Sequence, residues 1–186
     1  MLDHRCLTLT LTLTLPLALT AALAVLGASP AAAQMEHPAP ACTAPAALPA
    51  ELASWRDPAP LTAGRDRKGA AKAMLTPGQA ALLTLSRTPE VAYPLRPEKP
   101  GGTVSFGGLA SFTVKEAGTW RVALGSGAWV DVVKDGKAAT SVAHGHGPDC
   151  TGVRKMVDYQ LSPGTYTLQL AANAGDTLAV LVTRLP

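Results

Sequence analysis

From residue 109 to the C-terminus, apolar and polar positions alternate in short blocks. Alternation of this kind, apolar then polar over about four to eight residues, belongs to strands with one buried face. The blocks are residues 109–114, 119–124, 128–133, 138–142, 155–161, 165–170 and 177–182. Two earlier segments carry the same signal. Ala71, Ala73 and Leu75 alternate with Lys72 and Met74, and residues 80–85 are a second strand. The joints have turn chemistry. Asp135-Gly136 suits a two-residue hairpin, in which both central residues need positive φ. Ser162-Pro163-Gly164-Thr165 suits a type II turn, with proline fixing φ and glycine supplying φ > 0. Pro94, Pro97 and Pro100 with Gly101-Gly102 predict a long loop or an edge segment.

No stretch after Trp55 keeps a period of 3.6, so helix content is expected to be low. Before it, Leu52 and Trp55 are spaced to face one side of a single helical turn, which Asp57-Pro58-Ala59-Pro60 ends. An internal repeat organises the rest. Phe112-x-Val114, a turn, then Gly118-Thr119-Trp120-x-Val122-x-Leu124 matches Tyr159-x-Leu161, a turn, then Gly164-Thr165-Tyr166-x-Leu168-x-Leu170. Each copy reads as a hairpin with an aromatic and aliphatics on one face. The expected fold is therefore all-β: an antiparallel β-sandwich or jelly roll over residues 61–186, with an extended N-terminal arm at 34–60.

Residues 1–33 read as a signal peptide. Arg5 precedes a Leu/Thr/Ala/Val run, and Ala31-Ala32-Ala33 fits the small-x-small rule for cleavage before Gln34. Pro16 interrupts the run, and no second long apolar run follows, so no membrane span is expected in the mature chain. The expected location is periplasmic or extracellular. Residues 34–49, with Pro38, Pro40, Pro45 and Pro49, read as an extended mobile arm.

Composition narrows the picture further. Only 4% of residues are aromatic, so the core must be built mostly from Val, Leu and Ala. The net charge of +3 is mild, and no basic stripe is interleaved with aromatics, so nucleic-acid binding is not expected. No G-x-S-x-G elbow, phosphate-cradling loop or paired carboxylates can be argued from spacing. The expectation is a non-catalytic binding or accessory module, with a small ligand or an envelope protein as its partner.

One stretch carries candidate chemistry: Ala143-His144-Gly145-His146-Gly147-Pro148-Asp149-Cys150. Histidines two apart on an extended segment share a face and could start a metal chelate. Two histidines with Asp149 would suit non-haem iron, whereas an added thiolate would suit zinc. Cys42 and Cys150 are the two cysteines left after cleavage, and an oxidising compartment favours a disulfide between them. That bridge would bring His37 and Met35 towards His144 and His146 and assemble a site for copper or zinc. This small metalloprotein is the runner-up reading. Trp129, which shares a strand face with Asp131, and the basic Arg154 and Lys155 are further candidate ligand contacts.

Two resemblances accompany these residues. The repeated cassettes, with the ending Pro163-Gly164-Thr165-Tyr166-x-Leu168, resemble the β-sandwich modules at the C-termini of bacterial pre-peptidases. Those modules are mostly non-catalytic, and many bind calcium through acidic clusters that this chain lacks. Trp129-Val130-Asp131, Asp135-Gly136-Lys137, His144 to Gly152 and Lys155-Met156-Val157-Asp158 are similar to small secreted alphaproteobacterial proteins, some labelled homogentisate 1,2-dioxygenase. That label implies a metal-dependent oxidoreductase with two His and one Glu on iron. This chain departs from the set, because no Glu follows Glu116.

Overall fold

A computed structural model describes residues 42–44 and 46–186. The alternating blocks pair into two sheets. The first runs β1 (Ala59–Thr62), β2 (Ala81–Thr84), β11 (Thr177–Arg184), β5 (Gly118–Leu124), β9 (Lys155–Leu161) and β8 (Ser141–Gly145). The second runs β3 (Ser86–Arg87), β4 (Phe106–Val114), β10 (Gly164–Asn173), β6 (Trp129–Lys134) and β7 (Lys137–Ala138). Strand pairs are antiparallel except β1 with β2. The fold is thus the expected all-β sandwich. Inward positions of both sheets meet in one core that includes Leu83, Phe112, Val122, Leu124, Val132, Leu168, Leu170 and Val180. Burying each such aliphatic side chain stabilises the fold by about 1.5–3 kcal/mol.

The repeated cassettes are arches, not hairpins. β4 does not pair with β5, nor β9 with β10. Instead β4 pairs with β10, setting Val114 against Gly164, and β5 pairs with β9, setting Gly118 against Leu161. Each cassette therefore places one strand in each sheet, and each copy completes the other's ladders. Both arches close in the same way. Trp120 Nε1 donates to the Glu116 carbonyl at 3.3 Å, and Tyr166 Oη donates to the Ser162 carbonyl at 2.9 Å. A glycine at positive φ opens the second strand of each, Gly118 at 155° and Gly164 at 142°. The Gly164 value is far from the ~80° of a type II turn. The chain there crosses between sheets and does not fold back on itself. A basic side chain covers each arch: Arg184 pairs with Glu116 at 3.9 Å, and Lys134 donates to the Pro163 carbonyl at 2.9 Å.

Two other expectations change. The segment read as a strand from Ala71 begins inside the last turn of the helix α1 (Arg67–Lys72). Asp66 caps it, its carboxylate accepting from Gly69 N at 2.7 Å. Strand-like pairing is confined to a bridge of Met74 with Ser111, in which Leu75 N donates to the Ser111 carbonyl and Ser111 N to the Ala73 carbonyl. Residues 138–142 are not one strand either, because Ala138 ends β7 in the second sheet and Ser141 begins β8 in the first. The Asp135-Gly136 hairpin is as expected, with φ of 52° and 73°.

Both outer faces carry covers. A 3₁₀ helix (Ala50–Arg56), the predicted helical turn, lays Leu52 and Trp55 on the first sheet against Ala123, Val153 and Leu181. In a 3₁₀ helix residues three apart eclipse, which is why this spacing buries both. Its Glu51 reaches Arg121 at 3.5 Å, and Arg121 grips Asp158 with two bonds at 2.8 and 2.9 Å. The Cys42–Cys150 disulfide is present, with Cα atoms 5.3 Å apart. On the second sheet, Ala70 of α1 and Val91 pack on Leu109, with Tyr93 alongside. Among the described residues no helix is long and apolar enough to cross a membrane. The expected signal peptide and arm residues 34–41 and 45, with Met35 and His37 among them, lie outside the described residues.

Candidate functional site

Strand β6 runs along a margin of its sheet. β7 covers only Val133 and Lys134, and Ala139 N adds one bond to the Val132 carbonyl. Beyond that point side chains from β9, in the opposite sheet, reach across to the same margin. Lys155 Nζ donates to the Ala128 carbonyl at 2.9 Å, and Tyr159 Oη approaches the Val130 carbonyl at 3.5 Å. Carbonyls two residues apart on a strand project to one edge, so Lys155 and Tyr159 cap an edge that would otherwise stay bare.

A cleft of about 560 Å³ opens there, lined by Glu98, Lys99, Trp129, Asp131, Ser141, His144, Lys155 and Tyr159 among others. The proline-rich loop 92–100 forms one wall. Gln169, fully buried, holds this loop by exchanging two 3.0 Å bonds with the Leu95 backbone. Gln169 Nε2 also donates to Asp131 Oδ2 at 3.2 Å, and Trp129 Nε1 donates to Asp131 Oδ1 at 3.0 Å. The chain Leu95–Gln169–Asp131–Trp129 thereby fixes the indole. Two ammonium groups lie near that ring, Lys99 and Lys155, each 5.6 Å from its centroid. Cations at this range are attracted by the ring quadrupole.

The charges feel their surroundings. Burial lowers the Lys155 ammonium from its usual range, and the nearby charge of Lys99 adds to this, while Asp131 opposes it. Burial likewise raises the Asp131 carboxyl, against the bonds from Trp129 and Gln169. The Tyr159 hydroxyl is raised by burial first and by the Asp131 charge second.

The two histidines line different clefts. β8 ends at Gly145, so His146 has left the ladder when its side chain is set. His144 lines the Trp129 cleft. His146 lines a second cleft of about 330 Å³ together with Cys42, Asp149, Cys150 and Arg154. Its Nδ1 lies 3.0 Å from the Arg154 carbonyl. A carbonyl only accepts, so Nδ1 carries the hydrogen of this bond. The shared face expected from the spacing is therefore not formed. The disulfide removes Cys150 as a thiolate ligand. Among the described residues no group of three or more His, Cys, Asp and Glu is arranged to hold a metal ion.

Of the other expected contacts, Trp129 and Lys155 share the first cleft and Arg154 lines the second. Sequence reasoning missed Lys99, Glu98 and the Gln169 anchor. Their signal was the run Pro94, Pro97, Pro100, which stiffens the loop that carries Glu98 and Lys99 to the cleft. In comparison with known proteins, no family model matches the chain and no curated protein shows significant similarity to it.

Proposed function

We propose that the chain is an exported, non-catalytic binding module that takes a small ligand in the Trp129 cleft. The observation that carries this reading is the indole fixed by Asp131 and flanked by Lys99 and Lys155. A concave site with an oriented aromatic and a few convergent polar groups is how small-molecule sites are built, and 560 Å³ lies within their range of about 300–1,000 Å³. The periplasmic location rests on the Arg5-to-Ala33 leader and agrees with a disulfide, which persists in oxidising compartments. The metalloprotein reading has less support. Its two central histidines line different clefts, so it needs donors such as His37 from outside the described residues.

The test is a thermal-shift screen of small metabolites on the wild type and on Trp129→Ala in parallel. A ligand of this cleft raises the melting temperature of the wild type by several degrees at about 100 times its Kd and leaves the variant unmoved. Equal shifts in both proteins, or none in either, sink the reading.

A further inference from the structure

The cleft's charges point to a ligand class, an inference that rests on the binding reading above. Lys99 and Lys155 both lie 5.6 Å from one indole centroid, yet neither has a carboxylate of the described residues within 4.0 Å. Asp131, on the floor, forms no ion pair with either: its two oxygens accept from Trp129 and Gln169, and its charge reaches Lys155 only at longer range. Glu98 stands on the exposed wall. Lys155 is partly buried, and only one of its three N–H groups is engaged, by the Ala128 carbonyl. Two like charges held near one ring, without an ion pair, repel each other across a medium poorer in water than bulk. An anion in the cleft relieves that repulsion and gains charge-assisted hydrogen bonds, which are shorter and stronger than neutral ones.

We propose that this cleft binds a small organic acid, its carboxylate set against the ammonium groups of Lys99 and Lys155 beside the Trp129 indole. Ser141, which also lines the cleft, supplies a hydroxyl for the remainder of such a molecule. The site is too small for a polymeric anion, and its volume fits one metabolite-sized acid.

The experiment follows the indole N–H resonance of Trp129, assigned by its loss in Trp129→Phe, in ¹⁵N-labelled protein at constant ionic strength. Citrate, succinate, dimethyl succinate and inorganic phosphate are titrated separately. Citrate or succinate shifts the resonance to saturation and the neutral diester does not. Lys99 is exposed, so Lys99→Gln leaves the fold intact; it weakens acid binding about fivefold, and Lys99→Arg restores it. The proposal is overturned by no saturable shift with either acid, by an equal response to the diester, by indifference to Lys99→Gln, or by phosphate binding as tightly as citrate. A metabolite-screen hit that needs Trp129 but is neutral, with both acids silent, removes this proposal and leaves the binding reading standing. Silence from every compound removes both.

Discussion

The two outer faces of the sandwich are covered by different means. On the first sheet the 3₁₀ helix is held by the Cys42–Cys150 bridge upstream of it, by Trp55 Nε1 donating to the Thr151 carbonyl at 3.1 Å, and by the Glu51–Arg121–Asp158 ion group. On the second sheet the loop after Val91 is held without a covalent link among the described residues. Tyr93 Oη donates to the Leu170 carbonyl at 2.9 Å, and Gln169 holds Leu95. The first cover leaves the smaller cleft beside its own bridge. The second stops at Glu98 and Lys99 and leaves the larger one. A cover held by a few hydrogen bonds opens locally at lower cost than one that is cross-linked, so the wall of the cleft belongs to the more adaptable half of the molecule.

Opening the bridge tests this contrast most strongly. Replacing Cys42 and Cys150 by serine should lower unfolding stability by about 2–5 kcal/mol in denaturant titrations. Amide exchange should rise in residues 50–56 while the Leu95 amide stays protected. Asp158→Ala should cost about 3 kcal/mol, because it leaves the guanidinium of Arg121, only 19% exposed, without its bidentate partner. A loss under ~1 kcal/mol would show that the ion group is solvated surface. On the other face, Gln169→Leu should cost about 1–3 kcal/mol by stranding the Leu95 backbone groups. The Leu95 amide should then exchange faster and residues 50–56 should not respond.

The smallest effect is one of pH. Burial raises the Tyr93 hydroxyl from 10.0 to about 12. Between those values the folded protein holds a proton that the unfolded chain has lost. Tyr93 therefore stabilises fully below about pH 10, and the contribution disappears as pH climbs through about 12. Tyr159 is raised as well and adds a loss of the same sign at higher pH. Stability curves of the wild type should fall across this window, and Tyr93→Phe should fall less. Identical slopes would place Tyr93 in water.

Much of the fold was written in alternation and turn chemistry, because both are local. Asp135-Gly136 and the Leu52/Trp55 spacing decided their own geometry. The repeat was visible, but its meaning was not. A short turn between two strands looks the same whether the chain folds back in one sheet or crosses to another, and only the pairing of Val114 with Gly164 distinguishes them. Helix α1 was hidden because six residues are too few to show a 3.6 period, and its Ala71 runs on into Ala73 and Leu75 as an alternation; Asp66 as a cap was the legible sign. Half of the cleft was legible, in Trp129 and Lys155. Lys99 was not, since a loop's destination depends on contacts such as Gln169 with Leu95, 74 residues away. The histidine pair misled because the rule for extended segments stops where the strand does, at Gly145.

The reciprocal arches also bear on how the chain assembles. Neither copy of the motif can satisfy its own backbone, since the partner strand of each half belongs to the other half. A nascent chain that ends before residue 155 has no mate for β5, and β4 of its first arch still lacks β10. Two molecules caught at that stage carry matching vacancies. Exchange of the second motif, once each chain has made it, would pair β4 and β5 across the two molecules and yield an intertwined dimer whose subunits each look native.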